Sequence, residues 1–284
     1  MPDIGYLNGH FSPLEEITIS PDDRGFLFGD GVYEVIRAYH GVPVFWVEHF
    51  SRLRRSSGEI QLTCSFEQPE FHRLLLSGLQ RSGYQESKIY IQMTRGVAPR
   101  EHSFPSKGEP TVFLSFRRMV PLPQEICQQG VRVITVPDIR WYRCDIKSLN
   151  LLPNVLAKQK AQEAKAFEAI FVKDGMVTEG ATSNVFAVKN GVLISPERNH
   201  SVLAGVTQQQ VVTLAPSSGL EVIFRPIPLS EFVQADEVFL VGTTIEVLPV
   251  IQVNEHPIQA GKPGPLTTAL QQKFTEHVAG LTLM

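Results

Sequence analysis

Short apolar runs, broken by paired turn residues, dominate the first third of the chain. Residues 4–7 end at Asn8-Gly9, a dipeptide that tolerates the positive φ of a tight turn, so they are expected to form a hairpin with the segment from His10. Residues 32–39 and 42–46 flank His40-Gly41 and read as a second hairpin. The period then lengthens. From 47 to 60, His49, Leu53, Ser56, Ser57 and Ile60 recur at helical spacing, and from 68 to 81 Phe71, Leu74, Leu75 and Leu79 do the same. Two β-rich runs follow, 88–94 and 111–116, separated by a polar loop at 96–110 that carries three prolines.

Met119-Val120-Pro121-Leu122-Pro123 reads as a linker, because closely spaced prolines favour an extended connection. Beyond it the pattern predicts a strand at 131–136 and a helix at 151–166. Asp174-Gly175 turns a hairpin of 169–173 with 176–178, and Asn190-Gly191 turns another of 185–189 with 192–195. A helix at 206–214, strands at 222–225 and 237–241 and a closing helix at 266–277 complete the reading. Neither half shows the strand–helix–strand rhythm of a doubly wound parallel sheet. The expected fold is α/β (α+β), with a smaller domain at 1–120 and a larger one at 121–284.

Composition narrows the function. With 284 residues, 43% hydrophobic and 19% charged, the chain has ample material for a buried core. The 26 basic and 29 acidic residues nearly cancel to −3, without a run of either sign, which argues against a nucleic-acid scaffold or a polybasic membrane binder. No stretch approaches the roughly 20 apolar residues of a membrane span. The start, MPDIGYLNGH, lacks the basic and apolar regions of a secretory signal. Cys64, Cys127 and Cys144 are odd in number and far apart, which suits a reducing compartment. A cytoplasmic, globular enzyme is the expectation.

Several chemistries are missing from the sequence. There is no phosphate loop ending in Gly-Lys-Ser/Thr, no Gly-x-Ser-x-Gly elbow and no His-x-x-x-His pair beside a Glu. Gly25, Gly29 and Gly31 cluster ahead of a hairpin, not between a strand and a helix, so they do not make a dinucleotide fingerprint.

Five segments carry positive signals. In Arg143-Cys144-Asp145-Ile146-Lys147-Ser148-Leu149-Asn150, Lys147 reads either as a snorkelling surface residue or as a partly desolvated, nucleophilic amine. Glu179, just past a hairpin and followed by Gly180-Ala181-Thr182-Ser183-Asn184, is either an ordinary strand-end acid or a partner for a heterocyclic nitrogen. Leu203-Ala204-Gly205-Val206-Thr207 opens a helix, and Val241-Gly242-Thr243-Thr244 ends a strand. Both suit a phosphate monoester, or plain capping and termination. In His49-Phe50-Ser51-Arg52-Leu53-Arg54-Arg55, Arg52 shares the inward face with Leu53, and needs either a phosphate or an internal carboxylate. Arg54 and Arg55 are expected to face solvent.

Taken together, and in their order along the chain, the five segments resemble the class IV (fold-type IV) pyridoxal-phosphate aminotransferases, a likeness that runs from Gly5 to about Pro249. The resemblance implies two mixed α/β domains with pyridoxal 5'-phosphate at their interface, and a homodimer. It implies Lys147 as the catalytic Schiff-base lysine and Glu179 as the partner of the ring nitrogen. Arg52, Val206, Thr207 and Thr243 match the phosphate binders.

Arg95-Gly96-Val97-Ala98-Pro99-Arg100-Glu101-His102-Ser103-Phe104-Pro105 looks like the loop of the D-amino-acid branch. There, residues matching Arg100 and His102 hold the substrate carboxylate of the neighbouring subunit, and one matching Tyr33 completes the trap. Val35 and Thr244 fall on the substrate side in the same likeness. Asp145 to Leu152 with Asn154 is also similar to that branch, while Gly242 and Pro153 stand where it tends to carry serine and glycine. The implied reaction moves the amino group of a D-alanine-like amino acid to a 2-oxo acid such as 2-oxoglutarate or pyruvate, with the Lys147 amine as general base. A branched-chain L-aminotransferase, an (R)-amine transaminase and an aminodeoxychorismate lyase are the alternatives on the same scaffold. A binding protein without the cofactor would leave Lys147 and Glu179 incidental.

Overall fold

Asn8 and Gly9, at φ 44° and 100°, turn β1 (Ile4–Leu7) onto β2 (His10–Pro13). These strands belong to a computed structural model that describes residues 2–64 and 66–283. The chain divides into two units. The first holds the chain up to Val120 together with Ile146–Asn150, and the second holds Pro121–Asp145 and Leu151–Leu283.

In the first unit, β3 (Gly31–Tyr39), β4 (Val42–Pro43), β5 (Ser87–Thr94) and β6 (Thr111–Arg118) join the opening hairpin in the order β2-β1-β6-β5-β3-β4. All neighbours are antiparallel. Helix α2 (Trp46–Glu59) packs on β3, and α3 (Gln68–Ser82) packs on β1 and β6. Their apolar faces meet Val32, Ile36, Ile89, Ile91, Leu114 and Phe116 from the sheet in one core with Leu53, Phe71 and Leu75. Gly78 lets α3 approach closely, since a Cβ there would overlap the ring of Phe116. The second hairpin arm stops at Pro43, not at 46. Val44 N still donates to the Arg37 carbonyl at 3.0 Å, but Phe45 turns to φ 55° to open α2. Of the clustered glycines, Gly25 lies inside a short helix, α1 (Arg24–Phe28), Gly29 terminates it at φ 68°, and Gly31 opens β3.

The second unit is built on ten strands: β7 (Val131–Pro137), β8 (Glu168–Lys173), β9 (Met176–Gly180), β10 (Asn184–Lys189), β11 (Val192–Ser195), β12 (Glu221–Phe224), β13 (Ile227–Pro228), β14 (Glu237–Gly242), β15 (Glu246–Val253) and β16 (His256–Pro257). Their order is β12-β11-β10-β14-β15-β7-β8-β9-β13, with β16 on β15. Five helices accompany them: α4 (Gln124–Gln129), α5 (Leu152–Glu163), α6 (Val206–Leu214), α7 (Leu229–Phe232) and α8 (Pro265–Thr282). β15 has no counterpart in the periodicity reading, because Pro249 stands in its middle and argues locally against a strand. The sheet accepts it by placing Pro249 opposite Phe239 and shifting register between Val250 and Gln252 on the β7 side.

Lys147, expected with the larger domain, packs with the first unit. The amide of Tyr33 donates to the Lys147 carbonyl at 3.0 Å, and that of Leu149 to the Gly31 carbonyl at 3.1 Å. Val32 and Ser148 form a bridge, so the lysine segment adds to the start of β3.

Candidate active site

Strand parity sorts β3 into two faces. Val32, Glu34, Ile36 and Ala38 are buried, whereas Tyr33 and Val35 are half-buried on the opposite face. Lys147 lies on the Tyr33 side, its Nζ 4.3 Å from the centre of the Tyr33 ring, and its amide donates to Ser56 Oγ at 3.2 Å. Tyr33 in turn stacks on Tyr90 at 5.8 Å. Burial, with Tyr33 beside it, pushes the Tyr90 phenol up to about 12, so it stays protonated at neutral pH.

On the buried face, α2 supplies His49, Arg52, Leu53 and Ser56 inward and leaves Arg54 and Arg55 exposed. Of the two readings open for Arg52, the structure shows an internal carboxylate. Arg52 Nε donates to Glu34 Oε1 at 2.7 Å and Nη2 to Oε2 at 2.9 Å. His49 Nδ1 stands 2.8 Å from Glu34 Oε2. A carboxylate only accepts, so that nitrogen carries the hydrogen. Burial alone would raise the Glu34 carboxyl, but the Arg52 charge, helped by His49, holds it well below the usual range. Burial lowers His49, leaving a neutral imidazole.

The loop after β5 brings Arg100 and His102 to one ring. The guanidinium of Arg100 is 5.4 Å from the centre of Phe28, and the His102 ring centre lies 5.4 Å from it. Both side chains are exposed.

The second unit gathers Glu179, the opening of α6 and the turn after β14. Glu179, next to last in β9, is buried, with Oε1 accepting from Arg140 Nη1. Its Oε2 accepts from Asn184 Nδ2 at 3.2 Å and from the amide of Leu203 at 3.1 Å. Asn184 also donates to the Leu203 carbonyl at 2.9 Å, and its β10 position pairs with Val241 of β14. One asparagine thus ties the acid to the segment before α6 and to the strand that leads into Gly242-Thr243-Thr244. Gly205 precedes α6 without a capping side chain, and a Cβ there would overlap Asn184 Oδ1. The α6 opening presents the amides of Val206 and Thr207 with the Thr207 hydroxyl, a donor set that suits an anion. Thr243 and Thr244 are half-buried in the turn.

Residue reading missed the groups that hold these side chains. Arg140 Nε and Nη2 grip Asp138 at 2.9 and 2.7 Å, and Nη2 reaches the Ser201 carbonyl at 2.9 Å. Burial disfavours the Arg140 charge, but Asp138 and Glu179 more than restore it. Burial likewise raises the Asp138 carboxyl before Arg140 carries it below its ordinary value. The spacing Asp138-x-Arg140 at the end of a strand was the available signal. For Glu34 it was parity, an acid in step with Val32, Ile36 and Ala38. Glu168 is a third such residue. Its buried carboxylate accepts from the Thr182 amide at 3.1 Å and hydroxyl at 2.6 Å and from Ser183 Oγ at 3.2 Å, fixing the small-residue loop beside Glu179.

Comparison with known proteins places this architecture. The family model described as amino-transferase class IV matches residues 31–253. The chain is similar to the D-alanine aminotransferase of Bacillus licheniformis, 42% identical over 276 residues, covering 96% of this chain and 97% of the relative. It is 40% identical to the D-alanine aminotransferase of Staphylococcus haemolyticus over 273 residues, with the same coverage of both. Among solved structures, the branched-chain amino acid aminotransferase of Escherichia coli matches at a TM-score of 0.90 and 26% identity, covering 97% of this chain and 94% of that one. A T.th. branched-chain amino acid aminotransferase, solved with pyridoxamine 5'-phosphate, matches at 0.90 and 28%, covering 98% and 94%.

Proposed function

The chain belongs to the class IV aminotransferases, and from that premise we propose that it transfers the amino group of a D-alanine-like D-amino acid to a 2-oxo acid such as pyruvate or 2-oxoglutarate. Pyridoxal 5'-phosphate is the proposed cofactor. The observation that carries the D-amino-acid reading is the paired presentation of Arg100 and His102 over Phe28. An exposed guanidinium and imidazole on one loop are suited to a carboxylate.

The donor sets fit the cofactor. Val206 and Thr207 at the uncapped opening of α6 suit the phosphate, with Thr243 adding a hydroxyl, whereas Arg52, expected beside the phosphate, is taken up by Glu34. Glu179, oriented by Arg140, Asn184 and the Leu203 amide, suits a protonated ring nitrogen. When bound, pyridoxal 5'-phosphate supplies a carbonyl that captures the amine and a ring that draws electrons from the substrate Cα. Lys147 would hold it covalently, and its ε-amine, once released, removes the Cα proton and later returns one. Glu179 keeps the proton on the ring nitrogen. Arg100 and His102, with Tyr33, fix the substrate carboxylate, and Val35 and Thr244 border the side chain. Exposed Arg100 and His102 serve the neighbouring subunit of a homodimer in this reading. The odd number and wide spacing of the three cysteines support a cytoplasmic setting.

The test has two arms. Lys147→Ala is expected to lose both turnover and the visible absorption of the lysine-linked cofactor, and retention of both overturns the assignment. Single-turnover reactions with D-alanine, L-leucine and an (R)-arylamine rank the substrates. D-alanine should react fastest, and a faster L-leucine replaces this reading with the branched-chain one, which Gly242 favours.

A further inference from the structure

The loop that carries Arg100 and His102 closes over a buried arginine. Arg24 is 3% exposed, although it belongs to α1, a helix of only five residues. Its Nη1 donates to the carbonyls of Glu101 and Ser103, and its Nη2 to that of His102 at 3.4 Å. Three successive carbonyls converge on one guanidinium, so the loop turns its backbone oxygens inward and its side chains outward. The remaining Nε donates to Asp30 Oδ2 at 2.8 Å.

Asp30 is shared with a second buried arginine. Arg95 Nε donates to Asp30 Oδ2 at 2.9 Å and Nη2 to Oδ1 at 3.0 Å, and its other donors hold the carbonyls of Ile60 and Gln61 at the end of α2. Arg95 also lies 3.7 Å from the centre of the Phe104 ring, at the far side of the loop. Burial raises the Asp30 carboxyl, but the two guanidiniums bring it below its ordinary value, so it stays anionic. Phe28 completes the arrangement, with Arg24 4.9 Å and Arg100 5.4 Å from its ring centre. The backbone seals the same corner. Arg24 N donates to the Gly96 carbonyl at 2.9 Å, and Gly96, at φ 90°, has no room for a Cβ beside the Glu109 carbonyl.

We propose that Arg24 is a positioning residue, anchored by Asp30, that holds the 101–103 backbone so that Arg100 and His102 present a preformed carboxylate site. The inference rests on the functional reading above. Arginine is required because a lysine cannot serve three carbonyls and a carboxylate from one planar fork. Prepaid loop order appears in substrate binding more than in the chemical step.

Steady-state kinetics of Arg24→Lys holoenzyme test this. The KM for D-alanine should rise about tenfold with kcat changed less than about twofold and the visible cofactor absorption unchanged. In an Arg100→Ala background the same substitution should add almost nothing, because the group it positions is gone. An unchanged KM, or an equal penalty in both backgrounds, overturns the inference. If Arg24→Lys does not fold, hydrogen exchange of the wild-type enzyme decides instead. The 99–104 stretch should exchange more slowly than 105–109, and equal, fast exchange overturns the anchor. Wild-type protein that binds the cofactor but accepts no D-amino acid sinks the functional reading and the carboxylate role with it. Normal wild-type activity with an indifferent Arg24→Lys sinks this inference alone.

Discussion

Glu34 in the first unit and Glu179 in the second are both buried acids met by an arginine, yet they are held in different ways. Glu34 has both oxygens gripped by the fork of Arg52, from a helix packed on its own strand, with a neutral His49 as second donor. That trio balances one charge against one. Arg140 instead divides itself between Asp138 and Glu179, so its trio carries two carboxylates against one guanidinium. The second oxygen of Glu179 is oriented by an amide side chain and a backbone N–H, not by a cation fork. A balanced, bidentate pair serves to lock a helix onto a sheet. A carboxylate that shares its arginine and is steered on its other oxygen by neutral donors keeps its direction, which would suit the role proposed for it beside a cationic nitrogen.

Substitutions can break this contrast. Arg140→Leu strands two buried carboxylates at once and is expected to cost about 3–5 kcal/mol of stability, read from the urea unfolding midpoint. A loss below about 1 kcal/mol would mean the carboxylates are held by something other than Arg140. Glu34→Gln removes one charge and keeps one acceptor, so a smaller cost of about 2–3 kcal/mol is expected at neutral pH. Because the folded Glu34 carboxyl is held below its ordinary 4.5, its contribution is complete above that pH and is lost as pH falls beneath it towards the folded value. Stability measured across the acid range should therefore fall less steeply below pH 4.5 in Glu34→Gln than in the wild type. A parallel acid limb would show that Glu34 is not the group responsible. The smallest effect belongs to an exposed pair. Glu231→Gln releases Arg225 at the surface and should cost no more than about 0.5 kcal/mol, against which the two buried pairs are scaled.

The side chains proposed for the site were candidates along the chain, Lys147 and Glu179 by type and neighbourhood, and Arg52 by its place on the inward face of a helix. Their partners were not. Arg140 lies 39 positions from Glu179 and Arg24 lies 77 positions from Glu101, and neither pairing follows from any local period. The same holds for β15, whose Pro249 counts against a strand until β14 and β7 are present on either side.

The sequence by itself determined what depends on a few consecutive residues. Positive φ at Asn8-Gly9, Asp174-Gly175 and Asn190-Gly191 set three hairpins, and the apolar stripes of α2 and α3 set which faces are buried. Tertiary structure alone decided which charge meets which, that the Lys147 segment joins β3, and that the Arg100 loop folds around Arg24. The physical reason is one of range. Backbone turns and periodicities are settled by neighbouring residues, whereas a buried charge is tolerable only once distant strands and helices have brought its counter-charge and its hydrogen-bond donors into the same place.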